Sequence, residues 1–206
     1  MHAFAFLLLT LAQDPPDVIF GTTVVSSSGL EGKIYFIGKY PSEMPKIEKM
    51  KPKGTIYTDS LNVAPQDFTK GFPGLGDRNE WFAIDYTGRL WIETEGEYRF
   101  KLLSDDGSRL YLDDSLVIDN DGMHPPEELS GSAVLTRGIH KIRVIYFQGP
   151  RFSVALVLSV ARPNENWQLF RTGEFQPPKD TQDLVTGEIR NIRPGLRPVA
   201  NPKTGK

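Results

Sequence analysis

The most regular stretch of the chain alternates polar and apolar residues with a period of two. In Glu97-Tyr98-Arg99-Phe100-Lys101-Leu102, the residues Tyr98, Phe100 and Leu102 share one face and the charges share the other, as in a strand with one buried side. Similar short runs occur at 33–37, 89–92, 109–112, 116–118, 133–135 and 154–160, with turn residues between them. Asp113-Asp114-Ser115 joins two of these runs as a hairpin connection. The run 140–147 is apolar on both faces, with Ile142, Val144 and Tyr146 on one side and Ile145 and Phe147 on the other. Such a strand needs cover from two sides, so it belongs at the centre of a sandwich or barrel, or it meets a partner. Segment 39–54 holds three prolines and mixed charges, which predicts a loop or at most one helical turn; 67–77, with three glycines and a proline, should be irregular. No repeat and no long helical periodicity is present. These features predict an all-β antiparallel sandwich or barrel.

The two ends read differently. Residues 3–11 are uncharged and apolar, and the small residues Thr10 and Ala12 follow the pattern of a cleaved secretory signal. The run falls short of the ~20 residues needed to span a bilayer. The positive region before it holds only the amino terminus and His2, so a buried first strand is the alternative. Residues 176–206 contain five prolines and the basic residues Arg190, Arg193, Arg197, Lys203 and Lys206. They read either as a disordered tail or as an arm that orders on a partner through spaced anchors, with Ile189, Ile192, Arg193, Leu196 and Arg197 as the contact set. The expected organisation is a signal segment at 1–12, a connector at 13–28, a β domain at 29–175 and a Pro/Arg-rich tail at 176–206. The expected location is extracytoplasmic: periplasmic, cell-surface or secreted.

Composition narrows the chemistry. The chain has 206 residues, with 24 Lys+Arg against 26 Asp+Glu, and a net charge of −2 argues against nucleic-acid binding. With no cysteine there are no disulfides, thiolate metal sites or Cys nucleophile. The histidines are His2, His124 and His140. His124 precedes Pro125-Pro126 and reads as a loop residue, either plainly solvated or a contact residue; His140 starts a strand and reads as a packing residue. Gly107-Ser108-Arg109 lacks the preceding strand and second glycine of a nucleophile elbow, and Gly71 to Gly76 is interrupted by Pro73 and is no phosphate loop. Asp113, Asp114, Asp119 and Asp121 cluster around Asn120, but no flanking helices or terminal Glu complete a calcium loop, so turn formation is their expected role. Trp81, Phe82, Tyr86 and Trp91 cannot all face one core if their strand alternates. No catalytic residues are assigned, and the chain is read as a non-enzyme.

The order Gly96-Glu97-Tyr98-Arg99-Phe100, then Ser104-Asp105-Asp106-Gly107-Ser108-Arg109-Leu110-Tyr111-Leu112-Asp113, then 116–120, Gly138-Ile139-His140 and 142–149 resembles the PA14 domain family over about residues 29–160. One departure is the Asp114-Ser115 hairpin, where the family usually carries a glycine; Asp adopts the left-handed conformation better than most residues. The resemblance implies a β-barrel that serves as a non-catalytic binding or spacer module. One implied role is an accessory module docking, by protein contacts, onto a larger envelope or surface assembly. The other is calcium-dependent carbohydrate binding, since adhesins of the family hold calcium with paired aspartates like Asp105 and Asp106; a hydrolase is a minor third. Calcium takes six to eight oxygens, so further donors would come from the loop Gln148-Gly149-Pro150-Arg151-Phe152. Gln148, Gly149, Arg151 and His124 are the implied ligand-binding residues. Against this stands the reading that Asp105 or Asp106 merely accepts backbone N–H bonds to shape a turn.

Overall fold

A computed structural model describes residues 29–38, 42–150 and 152–178. The signal segment, the connector, Arg151 and the arm residues Ile189, Ile192, Arg193, Leu196 and Arg197 lie outside the described residues.

Eleven strands are described: β1 Leu30–Phe36, β2 Gly54–Thr58, β3 Asn62–Asp67, β4 Phe82–Ile92, β5 Gly96–Asp105, β6 Ser108–Leu112, β7 Ser115–Asn120, β8 Glu127–Leu135, β9 Gly138–Gln148, β10 Ser153–Ala161 and β11 Gln168–Leu169. All pairings are antiparallel. One sheet runs β2-β1-β4-β9-β6-β7 and the other β11-β10-β5-β8, with β3 also paired to β10. The period of two at 97–102 is realised directly: Tyr98, Phe100 and Leu102 are buried in the core between the sheets, while Glu97 and Arg99 are exposed.

The doubly apolar strand lies inside its sheet, between β4 and β6. Its inner residues Ile142, Val144 and Tyr146 join the main core. Its outer residues Ile145 and Phe147 enter a second, smaller core with Tyr35, Ile37, Ile47 and Trp81, against which Met44 and Met50 pack. The chain's own segment 42–50, with one 3₁₀ turn at Ile47–Lys49, thus covers the face for which a partner was one explanation. The same division sorts the aromatics. Phe82 and Tyr86 face the main core, Trp81 the smaller one, and Trp91 stays half exposed with its indole N–H donating to Glu93. Past β10, Phe170 and Phe175 fold back into the main core and stack on each other with centroids 5.3 Å apart.

Strands β2, β3 and β11 carry no period-two signal in the sequence. Pro65 stands within β3, and pairing to β10 on one side holds the strand, with a register shift between Val154 and Leu156. At the hairpin between β6 and β7, Asp113 and Asp114 both take positive φ, 46° and 67°, as a tight two-residue turn requires.

Candidate functional site

At one end of the sandwich, three connections cross from sheet to sheet: β5 to β6, β7 to β8, and β9 to β10. Asp105 and Asp106 sit at the first crossing, where the chain must turn in the fewest residues; the bond between them is cis. Gly107 makes the turn sterically open. A Cβ there would lie 2.4 Å from the Phe147 ring and 2.9 Å from the backbone of Gly122, contacts that no side chain tolerates.

Both carboxylates are largely buried, at 6% exposure each, and each is held by neighbours from the third crossing. Ser153 Oγ donates to Asp105 Oδ2 at 2.5 Å. The Gly149 N–H donates to Asp106 Oδ2 at 2.7 Å, and Gln148 Nε2 approaches the same oxygen at 3.4 Å. Gln148 is fully buried, and its amide also donates to the Ser153 carbonyl at 3.0 Å, while its Oε1 lies 2.6 Å from the Tyr146 hydroxyl. It braces the site from beneath, with no surface to offer a ligand. The Tyr146 hydroxyl also lies 2.6 Å from the Asp105 carbonyl. Gly149 is fitted by close approach: a Cβ would lie 3.1 Å from Asp106 Oδ2 and 3.2 Å from Met123 Sδ. Its carbonyl accepts from the N–H of Trp81, a residue with φ of 57°, and the Trp81 carbonyl accepts from Arg78 at 2.7 Å.

Among the described residues neither aspartate is in a salt bridge. Burial pushes the Asp106 carboxyl up to about 6, against the Gly149 hydrogen bond, and the Asp105 charge adds to the rise. Burial raises Asp105 as well. The pair opens to a cavity of about 280 Å³ whose rim includes Met123, His124, Pro150 and Phe152. His124 is held on the second crossing, with ring nitrogens 2.9 Å from the Pro125 carbonyl and 3.2 Å from that of Asn120. Phe152 is 84% exposed, has φ of 132°, and its carbonyl accepts from Phe68 N–H at 3.3 Å. Of the residues implied by sequence, the structure therefore brings together Asp105, Asp106, Gln148, Gly149 and His124. Sequence reasoning passed over Ser153 and Met123, while Phe152 had entered only as the end of the loop 148–152.

The aspartates at 85, 113, 119 and 121 are partnered. Arg109 bridges Asp119 and Asp121 at 2.8 Å each. Arg143 grips both oxygens of Asp85 at 2.7 and 3.0 Å. Asp113 takes a hydrogen bond from His140 at 2.5 Å and one from the Lys141 N–H at 2.8 Å. Burial would raise the Asp113 carboxyl, but these two bonds hold it below its ordinary value. His140 satisfies its second ring nitrogen on the Thr136 carbonyl at 2.9 Å.

Two hard carboxylates suit a cation such as calcium in kind, since neither is neutralised by a described Lys or Arg. In number they leave most of its six to eight positions to other oxygens; among the described residues no group of three or more His, Cys, Asp or Glu is placed to hold a metal.

The family model of the PA14 domain matches residues 26–169. No curated protein matches the sequence. Among solved structures, a PA14 sugar-binding domain from an RTX adhesin is similar at 18% identity and TM-score 0.58, over 70% of this chain and 96% of that one. The PA14 domain of the MpAFP antifreeze protein is similar at 17% identity and TM-score 0.58, over 79% and 94%. An anti-sigma factor domain-containing protein is similar at 20% identity and TM-score 0.57; this chain spans 73% of its own length and only 49% of that protein. At these identities the structures establish the fold alone. The match of the family model over most of the chain establishes that this protein belongs to the PA14 domain family.

Proposed function

We propose that the protein is a non-catalytic extracytoplasmic binding module that takes up carbohydrate through a calcium ion held by Asp105 and Asp106. The observation that carries this reading is the pair itself: two adjacent carboxylates, both shifted upward by burial, with only the His124 imidazole and no described Lys or Arg beside them, open to a cavity at the loop end. Burying such charges is costly without compensation, and a divalent cation supplies it. Calcium, when bound, would offer coordination positions for sugar hydroxyls. The protein's own part is to orient the ligating groups. Ser153 and the Gln148 amide hold Asp105, while the Gly149 N–H, the His124 N–H and the Gln148 amide hold Asp106, so both carboxylates line the cavity in fixed orientations. Phe152 and Met123 give the rim apolar surface on which the C–H face of a sugar ring can pack. The sugar-binding adhesin domain of the same fold is consistent with this reading.

Docking to a protein partner is the weaker reading, because the second face of β9 is covered by segment 42–50. The test is thermal unfolding of the full chain in EDTA and in millimolar calcium, followed by a glycan array in both buffers. A calcium-dependent rise in Tm, absent in Asp106→Asn, with calcium-dependent spots on the array supports the proposal. An unchanged Tm and a blank array overturn it.

A further inference from the structure

An open sheet ends in edge strands, whose outward N–H and C=O groups are a template for another strand. Among the described residues, three of the four sheet ends carry features that blunt them. Strand β2 follows Lys51-Pro52-Lys53; at the β10 side of the other sheet, β3 contains Pro65 and β11 has two residues. Strand β7 is tucked under its neighbour, for a Cβ on Gly131 would lie 2.3 Å from the Val117 carbonyl oxygen. Strand β8 is different. It is nine residues long, ends its sheet, and among the described residues pairs with β5 alone. From Leu129 to Leu135 it reads Leu-Ser-Gly-Ser-Ala-Val-Leu, with no charge and no proline. Val134 is 79% exposed and Leu129 36%, and the small residues from Ser130 to Ala133 let another backbone come close.

The charges at the ends of this edge select its partner. When two identical strands pair antiparallel, each residue faces one of the same parity, because outward backbone groups recur every second residue. With a two-fold axis at Ser132, Leu129 faces Leu135 of the second copy, Ser130 faces Val134, and Gly131 faces Ala133. Glu127 of each copy then comes opposite Arg137 of the other. Arg137 is free to share its charge, since it is 57% exposed and meets its own Glu93 at the surface. No like charges meet in this register. Moving the axis to Gly131 would set Glu127 and Glu128 against Leu135 and Val134 and lose both opposite-charge pairs. The complementarity is therefore between this edge and a second copy of itself, an isologous contact that joins two sheets into one.

We infer that β8 is a self-association edge through which two copies of this chain pair antiparallel about Ser132. The inference is separate from the reading of Asp105 and Asp106, and Asp106→Asn should associate like wild type. The test is analytical ultracentrifugation of the full chain in EDTA from about 1 to about 500 µM, where a concentration-dependent dimer is expected. Ser130 and Val134 are exposed and face each other across the axis. Ser130→Lys with Val134→Lys sets like charges together twice and should raise the dimer dissociation constant roughly tenfold or more. Ser130→Glu with Val134→Lys sets opposite charges together and should restore the dimer, with the Tm of both double variants confirming that they fold. Because the chain has no cysteine, Ser132→Cys reports the axis. Mild oxidation should link two copies through it, roughly fivefold faster than through Ser130→Cys, which the register holds too far from its counterpart to bridge. A monomer over the whole range overturns the inference and leaves the edge to another segment or another protein. A dimer indifferent to the charge variants, or cross-linking equal at 130 and 132, overturns it as well.

Discussion

Two groups of aspartates occupy neighbouring parts of this molecule and have opposite fates. Asp85, Asp113, Asp119 and Asp121 each face a guanidinium or an imidazole. Asp105 and Asp106 stand side by side, more deeply buried, with neutral donors only among the described hydrogen bonds. The first group is internally neutralised and acts structurally. The second has no Lys or Arg partner among the described residues, and burial moves its carboxyls upward against the His124 charge. A run of acidic residues in a sequence is therefore not evidence of a cation site. Which of them a Lys or Arg meets among the described residues is the more telling property.

The sharpest way to break this comparison is calcium itself. At 100 times its dissociation constant a ligand adds about 2.7 kcal/mol, so Tm should rise by several degrees in wild type and not in Asp106→Asn. Without calcium, Asp106→Asn should leave Tm at pH 7 unchanged or higher, because it removes like-charge repulsion and Asn still accepts the Gly149 N–H. A turn-forming role alone requires equal destabilisation in both buffers.

The mirror experiment is Asp85→Ala. It should cost about 1–3 kcal/mol by leaving the Arg143 fork without its acceptor, measured by chemical denaturation, with no dependence on calcium.

A third test uses protons. The folded Asp106 carboxyl sits near 6, above its ordinary 3.8, so between those values the native state binds more protons than the unfolded one. In EDTA, stability should therefore fall as pH rises from about 4 to about 6 and then level off. A rise over that window would contradict a burial-raised Asp106 carboxyl. The smallest effect is expected for Phe152→Ala. With the side chain 84% exposed, denaturation should move by no more than about 0.5 kcal/mol, while any glycan signal weakens.

Much of the architecture was legible locally. Alternation at 97–102 and the two apolar faces of 142–147 identified the central strands and which residues face which core. The hairpin at Asp113-Asp114 was readable because only a few residues accept positive φ. Strands β2 and β3 were not, since their residues are half exposed at a sheet edge or broken by Pro65, and pairing alone defines them. At the site, Asp105, Asp106, Gln148, Gly149 and His124 were singled out in the sequence, and the structure brings them together. That Gln148 is buried, that Ser153 clamps Asp105, and that Phe152 stands on the rim could not be read there, because each depends on β5 and β10 lying side by side.

The sequence by itself determined an all-β chain of the PA14 type and the faces of its central strands. Side-chain period and turn chemistry are local properties, and they survive in one dimension. Only the tertiary structure decided that segment 42–50 covers the outer face of β9, and which aspartates are neutralised. Those outcomes rest on distances between residues far apart in the chain, such as Asp85 and Arg143 or Asp106 and Gly149, and no local pattern encodes them.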